Sequence, residues 1–189
     1  MSDVKQIRLC GTGGQGIVIA GTILGFAAIY DGRWVAGSDS YGAQARGGSA
    51  VSELVVSGEP IVFPHVIEPD ILISLSQNTY DKYMKDFYKK EGFIIYDDIM
   101  VTPREQTKAK QIGVPATDAA IRELDNRQVA NVMILGAAAV LTRVVSKQAL
   151  IASIENNVQG QLKALNLQAL DMGFIIGEEL RKEVHSSWS

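Results

Sequence analysis

The stretch KQIRLCGTGGQGIVIAGTILGFAA, residues 5–28, decides the fold class of this chain. Lys5 to Cys10 has the apolar content of a short buried strand and runs directly into Gly11-Thr12-Gly13-Gly14-Gln15-Gly16. After the glycines, small and apolar residues recur at helical spacing; they are Ile17, Ala20, Gly21, Leu24 and Ala28. The order of strand, glycine turn and helix predicts the first half of a βαβ unit, which is a Rossmann-like start.

Working outward, the remaining sequence alternates between predicted strands and predicted helices. Strands or extended segments are predicted at Trp34 to Gly37, Val51 to Ser57, Pro60 to Val66, Asp70 to Ser76, Phe93 to Tyr96 and Lys110 to Pro115. Helices are predicted over Asn78 to Lys90, after a cap at Thr117 or Asp118, over Val129 to Val145, over Ser146 to Val158 and along a final face from Leu162 to Leu180. The polar stretch Ser38 to Ser49 is the longest predicted loop of the N-terminal half. The sequence therefore predicts a single α/β domain over residues 1–189, with a mainly parallel twisted sheet flanked by helices and a helical C-terminal half.

Charge and hydropathy exclude two classes of partner. The 189 residues carry a formal net charge of -3, so there is no basic excess to neutralise a nucleic acid or an anionic membrane. The N-terminus lacks the charged and apolar regions of a secretory signal, and the longest apolar run, Val132 to Leu141, is about half of what spans a bilayer. We expect a soluble, cytoplasmic protein.

The sequence offers little for catalysis or metal binding. The single cysteine, Cys10, cannot supply the several thiolates of an iron–sulfur cluster, and the two histidines have no other ligand at metal-site spacing. Cys10 is expected to be a buried structural thiol, and Asp97-Asp98 to be turn and N-cap residues rather than an acid–base pair. We therefore predict no catalytic residue and no metal ligand in this chain.

The glycine turn has more than one interpretation. Gly11, Gly13 and Gly16 match the dinucleotide fingerprint between a strand and a helix N-terminus, and Asp39 lies near the expected position of a ribose-binding carboxylate. A free-standing NAD-binding oxidoreductase is thus one hypothesis. The turn is equally typical of a site for another anion, or of a tight structural turn packed against a neighbour.

A second glycine-rich cluster carries a family resemblance. It reads Ser40-Tyr41-Gly42-Ala43-Gln44-Ala45-Arg46-Gly47-Gly48, and with the first turn it resembles the gamma subunit of 2-oxoacid:ferredoxin oxidoreductases. Further matches follow in order over residues 5–180, at Val55-Val56-Ser57, Ile61, Pro64, Pro69-Asp70, Tyr96-Asp97, Asn131 and Leu135-Gly136.

The resemblance implies a role for the chain. Such an enzyme converts a 2-oxoacid and coenzyme A to acyl-CoA, CO2 and reduced ferredoxin, and its gamma chain holds none of the cofactors. Thiamine diphosphate, Mg2+, the iron–sulfur clusters and coenzyme A are implied in alpha, beta and ferredoxin-like delta partner subunits. The isolated chain is then expected to be inactive.

The resemblance also implies candidate site residues. The turn formed by Gly11, Gly13, Gly14, Gln15 and Gly16 is expected to bind an anion, such as a coenzyme A phosphate, or to form an interface. Six residues of the second cluster are expected to border the same cleft or interface; they are Ser40, Tyr41, Gly42, Arg46, Gly47 and Gly48. We expect Arg46 to make a bidentate contact across a subunit boundary and Tyr41 or Arg46 to close one side of the cleft.

The substrate is less constrained by the resemblance. Ala43 and Gln44 stand where Pro and Glu are common in the 2-oxoglutarate-like branch, whereas Tyr41 and Ala45 point away from the indolepyruvate enzyme. We favour 2-oxoglutarate, with a branched-chain 2-oxoacid such as 2-oxoisovalerate next.

Overall fold

The computed structural model describes residues 4–42 and 48–186. The strands are β1 (Lys5–Thr12), β2 (Trp34–Tyr41), β3 (Ser49–Ser57), β4 (Ile71–Ser74), β5 (Phe93–Asp97) and β6 (Lys110–Val114). The helices are α1 (Ile17–Tyr30), α2 (Gln77–Tyr83), α3 (Ala116–Leu124), α4 (Ala130–Thr142), α5 (Lys147–Asn157) and α6 (Gln161–Ser186), with 3-10 turns at Met84–Phe87 and Arg127–Val129. No described helix is both long enough and apolar enough to cross a membrane.

The six strands form one mostly parallel sheet in the order β2-β3-β1-β4-β5-β6. Only β3 is antiparallel to its two neighbours, so the other five described strands all run in one direction. The carboxyl ends of β1 and β2 and the start of β3 therefore meet at one edge of the sheet. That topology places the glycine turn, residues 11–16, beside Gly42 and Gly48, the described ends of the connection between β2 and β3.

Helical layers cover both faces of the central strands. Ile7, Leu9 and Ile73 point into the larger core, which α1, α4, α5 and α6 complete, whereas Cys10 and Leu72 point to the other face under α2 and the turn that follows it. Strands buried on both faces read as continuous apolar runs, which is why Ile71-Leu72-Ile73 shows no polar alternation. The predicted α/β architecture is confirmed.

The apolar segment in the last third of the chain is covered within the domain. Residues 130–139 of α4 are all buried, and α6 packs along them at very short range. A Cβ added at Gly173 would lie 2.1 Å from the carbonyl oxygen of Met133, and one added at Gly136 would lie 2.7 Å from that of Leu170. The two helix backbones thus approach through glycine, and helix–helix packing defines the C-terminal half.

One predicted loop and one predicted extended segment are wrong. Residues 38–41 belong to β2 and not to a loop, because they pair with residues 50–53 of β3. The segment 60–66, which lies between β3 and β4, forms no strand and exposes Val62 and Phe63. Directly after this segment, the side-chain oxygen of Gln6 accepts hydrogen bonds from the backbone N–H groups of Ile67 and Glu68.

Two helix boundaries also differ from the prediction. The helix expected over Asn78 to Lys90 is α-helical only through Tyr83 and continues as a 3-10 turn to Phe87. The helix expected to be capped by Thr117 or Asp118 begins at Ala116, because the carboxylate of Asp97 at the end of β5 accepts hydrogen bonds from Thr117, at 2.8 Å from N and 2.6 Å from Oγ1. The predicted cap of α5 is confirmed, since Ser146 Oγ accepts the N–H of Ala149.

Candidate functional site

The glycine turn follows β1 and leads directly into α1. Gly14 and Gly16 adopt φ values of 93° and 67°, a region that residues with a side chain rarely occupy. Gly11 is required for space, since an added Cβ would lie 2.6 Å from Oε1 of Gln15 and 2.7 Å from Cδ1 of Ile17. Gly13 and Gly14 are exposed, so the tip of the turn presents backbone to solvent.

Gln15 fastens the turn across the middle of the sheet. Its Oε1 accepts the N–H of Thr12 at 2.6 Å, and its Nε2 donates to the carbonyl oxygen of Leu75 at 2.8 Å. Thr12 ends β1 and Leu75 directly follows β4, and the connections leave β1 and β4 in opposite directions along the sheet. Gln15 therefore occupies the topological switch point, where open α/β sheets usually bind their ligands.

Asn131 supports the turn from behind. Its Nδ2 donates to the carbonyl oxygen of Gly16 at 2.9 Å, and its Oδ1 accepts the N–H of Val132 at 2.8 Å. The side chain is buried, and a Cβ on Gly16 would lie 2.3 Å from Nδ2. Sequence reasoning noted Asn131 only as a motif match, because 115 positions separate it from Gly16.

The structure brings the two glycine-rich clusters together. The N–H of Gly13 donates to the carbonyl oxygen of Gly48 at 2.8 Å, and the N–H of Gly42 donates to that of Ser49 at 2.6 Å. Ser40 and Tyr41 end β2 beside them, and the Tyr41 side chain is 70% exposed. Arg46 and Gly47, with Ala43, Gln44 and Ala45, lie outside the described residues.

A cavity of about 430 Å³ opens beside the turn. Its walls come from the turn, the first residues of α1, Tyr41, the start of α4 and α6; they include Gly13, Gly14, Ile17, Ile19, Val129 and Leu162. Four amide side chains also line it, those of Asn126, Gln128, Asn131 and Asn166. The first N–H groups of a helix have no partner within the helix, so the α1 N-terminus adds donors and a positive partial charge. The cavity therefore combines apolar walls with amide side chains and helix N–H donors.

A second cavity, of about 410 Å³, lies on the other side of Gly13 and Gly14. Thr12, Gln15, Leu75 and Thr117 line it together with Met100 and Arg127. The Arg127 guanidinium donates to Sδ of Met100 at 3.3 Å, which places a positive charge near the glycine turn. Sequence reasoning missed Arg127, because nothing local distinguishes it from a surface arginine.

The strand order separates the parts that a dinucleotide site would need. In the dinucleotide fold the acidic residue follows a strand adjacent to β1, whereas here β3 lies between β1 and β2. Asp39 is therefore two strand spacings, about 10 Å, from β1. It lines a different groove, between α1 and β2, and not the cavity beside Gly13 and Gly14.

The surroundings of Cys10 and of the pair Asp97-Asp98 indicate structural roles. Complete burial raises the pKa of the Cys10 thiol, which disfavours the reactive thiolate form. Asp97 accepts both hydrogen bonds from Thr117. Partial burial, followed by the charges of Asp97 and Asp118, raises the pKa of Asp98. In residues 4–42 and 48–186 no group of three His, Cys, Asp or Glu side chains could hold a metal ion.

Comparison with protein families gives one match, to the pyruvate ferredoxin/flavodoxin oxidoreductase family over residues 6–176. The 2-oxoglutarate synthase subunit KorC of Methanocaldococcus jannaschii is 43% identical over 179 residues, which are 93% of this chain and 95% of the relative. The ketoisovalerate oxidoreductase subunit VorA of Methanothermobacter marburgensis is 32% identical over 131 residues, which are 69% of this chain but 27% of that longer protein.

Solved structures share the fold. The gamma subunit of a keto/oxoacid ferredoxin oxidoreductase from Geobacter sulfurreducens superposes with a TM-score of 0.81 at 35% identity, covering 93% of this chain and 99% of the other. The 2-oxoglutarate:ferredoxin oxidoreductase of Magnetococcus marinus, solved with 2-oxoglutarate, coenzyme A and succinyl-CoA bound, gives a TM-score of 0.85 at 22% identity. The superposition covers 95% of this chain and 32% of the other.

Proposed function

This chain belongs to the pyruvate ferredoxin/flavodoxin oxidoreductase family as a gamma subunit of a 2-oxoacid:ferredoxin oxidoreductase, and we propose that its complex acts on 2-oxoglutarate. The observation that supports 2-oxoglutarate as the substrate is the 43% identity to a 2-oxoglutarate synthase subunit, over 93% of this chain and 95% of that subunit. The ketoisovalerate and pyruvate relatives are less similar, at 26–33%.

The proposed reaction takes place in the cytoplasm. The carboxylate next to the oxo group of 2-oxoglutarate leaves as CO2, coenzyme A receives the acyl group as a thioester and its thiol proton is released, and two electrons pass to ferredoxin. Thiamine diphosphate and the iron–sulfur clusters would be held by the alpha, beta and delta subunits. There they would supply the chemistry of decarboxylation and of electron transfer. This chain then contributes interfaces and ligand contacts, and we assign it no catalytic residue.

The substrate proposal is tested with the complex purified through this chain. We expect kcat/KM for coenzyme A-dependent ferredoxin reduction to be about tenfold or more higher with 2-oxoglutarate than with 2-oxoisovalerate or pyruvate, since a site that pairs the second carboxylate rejects acids lacking it. A higher kcat/KM with 2-oxoisovalerate would contradict the assignment and favour the branched-chain alternative.

The same proposal assigns the cavity beside the glycine turn to coenzyme A. A phosphate of the ligand would take the N–H donors at the α1 N-terminus, and the amide side chains of Asn126 and Asn166 would pair with the amides of its arm. Arg46, which lies in the sequence between Gly42 and Gly48, is proposed to contact the same phosphate or a carboxylate of a companion subunit.

Filling this cavity is expected to weaken coenzyme A binding. In the assembled complex, Leu162→Trp adds bulk to the α6 wall, and we expect about tenfold weaker binding, or about 1.4 kcal/mol, by calorimetry. Ile175→Trp is the matched control, because Ile175 lies on the same helix and is 60% exposed against 56% for Leu162. Equal affinity in both variants would leave the glycine turn with an interface role only.

A further inference from the structure

Helix α1 exposes apolar side chains on an uncharged segment. No Asp, Glu, Lys or Arg occurs among residues 9–30, which include the whole helix. Its inner residues, such as Ile23 and Leu24, are fully buried, but Phe26 is 39% and Ile29 52% exposed. A helix that is apolar on every side normally has cover on every side. The outer side of α1 has no cover from the described residues, so it is a surface that a neighbour would bury.

Strand β2 presents an unprotected edge next to this helix. It lies at the end of the sheet and has eight residues, with Trp34 and Tyr41 exposed at its two ends. Edge strands of monomeric proteins usually carry lysine, proline or a bulge, or are very short. The opposite edge, β6, follows this rule with five residues and Lys110, whereas the one charge on β2 is that of Asp39.

The helix and the strand form one continuous surface. They meet in a shallow groove of about 250 Å³, where Thr22, Phe26 and Ile29 of α1 face Val35 and Gly37 of β2. We name this surface the α1–β2 face and define it by those five residues and Trp34. It combines apolar side chains with the outer edge of a strand that has no further strand beside it among the described residues, and together these can take an extended segment.

Relatives indicate what covers such a face. In the ketoisovalerate subunits VorA of Methanothermobacter marburgensis and Methanothermobacter thermautotrophicus, the matching region makes up 27% of a longer chain. A covalent link holds neighbouring domains at high effective concentration. In the KorC subunit of Methanocaldococcus jannaschii the matching region is 95% of the chain, so a subunit of that kind holds its neighbours through its surface. The centre of a permanent interface is apolar and poor in charge. The α1–β2 face has this chemistry.

We propose that the α1–β2 face docks a companion subunit of the same oxidoreductase. The companion contributes an uncharged apolar patch against Phe26 and Ile29 and an extended segment along β2. The proposal rests on the proposed function, in which the chain works within the assembled enzyme.

The test uses the affinity-tagged chain expressed in its native host. Phe26→Glu places a charge at the centre of the face, and we expect the ratio of copurified oxidoreductase subunits to this chain to fall at least tenfold. Ile175→Glu puts the same charge on the exposed side of α6 and should keep the wild-type ratio. Thermal melts of both purified chains check that they fold.

Hydrogen exchange on the wild-type protein gives a readout that does not depend on a variant. The amides of β2 should exchange at least tenfold more slowly in the complex than in the free chain. Wild-type copurification by Phe26→Glu, or equal β2 exchange in both states, would overturn the proposal. If the free chain dimerises through this face and the complex still contains the other subunits, the face binds a second copy of this chain and not a companion subunit. A wild-type chain that copurifies with no oxidoreductase subunit would instead remove the function, and the docking proposal with it.

Discussion

Replacing Gly173 by alanine is expected to destabilise the isolated chain by about 3 kcal/mol, although alanine is the better helix former. The added Cβ would lie 2.1 Å from the carbonyl oxygen of Met133 and 3.2 Å from Cα of Gly136. These neighbours are backbone atoms of α4, so the clash cannot be relieved by rotating a side chain. Helices α4 and α6 must separate, and the buried residues of α4 lose their cover.

The matched control is the same substitution in α1. A Cβ at Gly25 would lie 3.6 Å from Cδ2 of Leu54 and 3.8 Å from Cγ1 of Val35, which is ordinary van der Waals contact. Gly25→Ala should therefore stabilise the chain by about 0.5–1 kcal/mol. Urea unfolding of both variants measures the difference, and a Gly173→Ala variant as stable as wild type would show that the two helices are farther apart than described.

Replacing Arg8 by alanine is expected to cost about 3 kcal/mol of stability. The guanidinium is buried, pairs with Glu53 at 2.7 Å and with Asp86, and lies over the Tyr83 ring at 4.5 Å. Burial alone would lower the pKa of Arg8, but these two carboxylates raise it above its ordinary value. Its removal leaves two half-buried carboxylates without their counterion and loosens α2 from the sheet.

Arg104→Ala provides the comparison. Arg104 also pairs with a carboxylate, that of Asp81 at 3.0 Å, but both side chains are exposed. Solvent screens such a pair, so its loss should cost much less stability than the loss of Arg8. The measurement is the urea midpoint of each variant at pH 7, and similar losses for Arg8→Ala and Arg104→Ala would show that Arg8 does not hold a buried charge cluster.

Much of the architecture could be predicted from residues 5–28, because a buried strand, a glycine turn and an apolar helix are local patterns. The position of β3 could not be predicted. Residues 49–57 read as a strand in the sequence, but nothing local says that they insert between β1 and β2. That insertion is what moves Asp39 away from the glycine turn and removes the geometry of the NAD hypothesis.

The candidate site was predictable in part. The two glycine-rich clusters could be named from the sequence because glycines mark close backbone approach, and the structure joins them through Gly13 and Gly48. The supporting contacts were not predictable, since Gln15 reaches Leu75 and Asn131 reaches Gly16 across 60 and 115 positions. Such contacts depend on which strands and helices become neighbours.

The most direct test of the central claim compares the isolated chain with the complex purified through it. We expect the complex to reduce ferredoxin in a reaction that requires both 2-oxoglutarate and coenzyme A. The isolated chain should show no such activity and no iron–sulfur absorbance, because its one cysteine cannot hold a cluster. A chain that purifies alone from its native host, binds NAD and oxidises a substrate without companions would contradict the account.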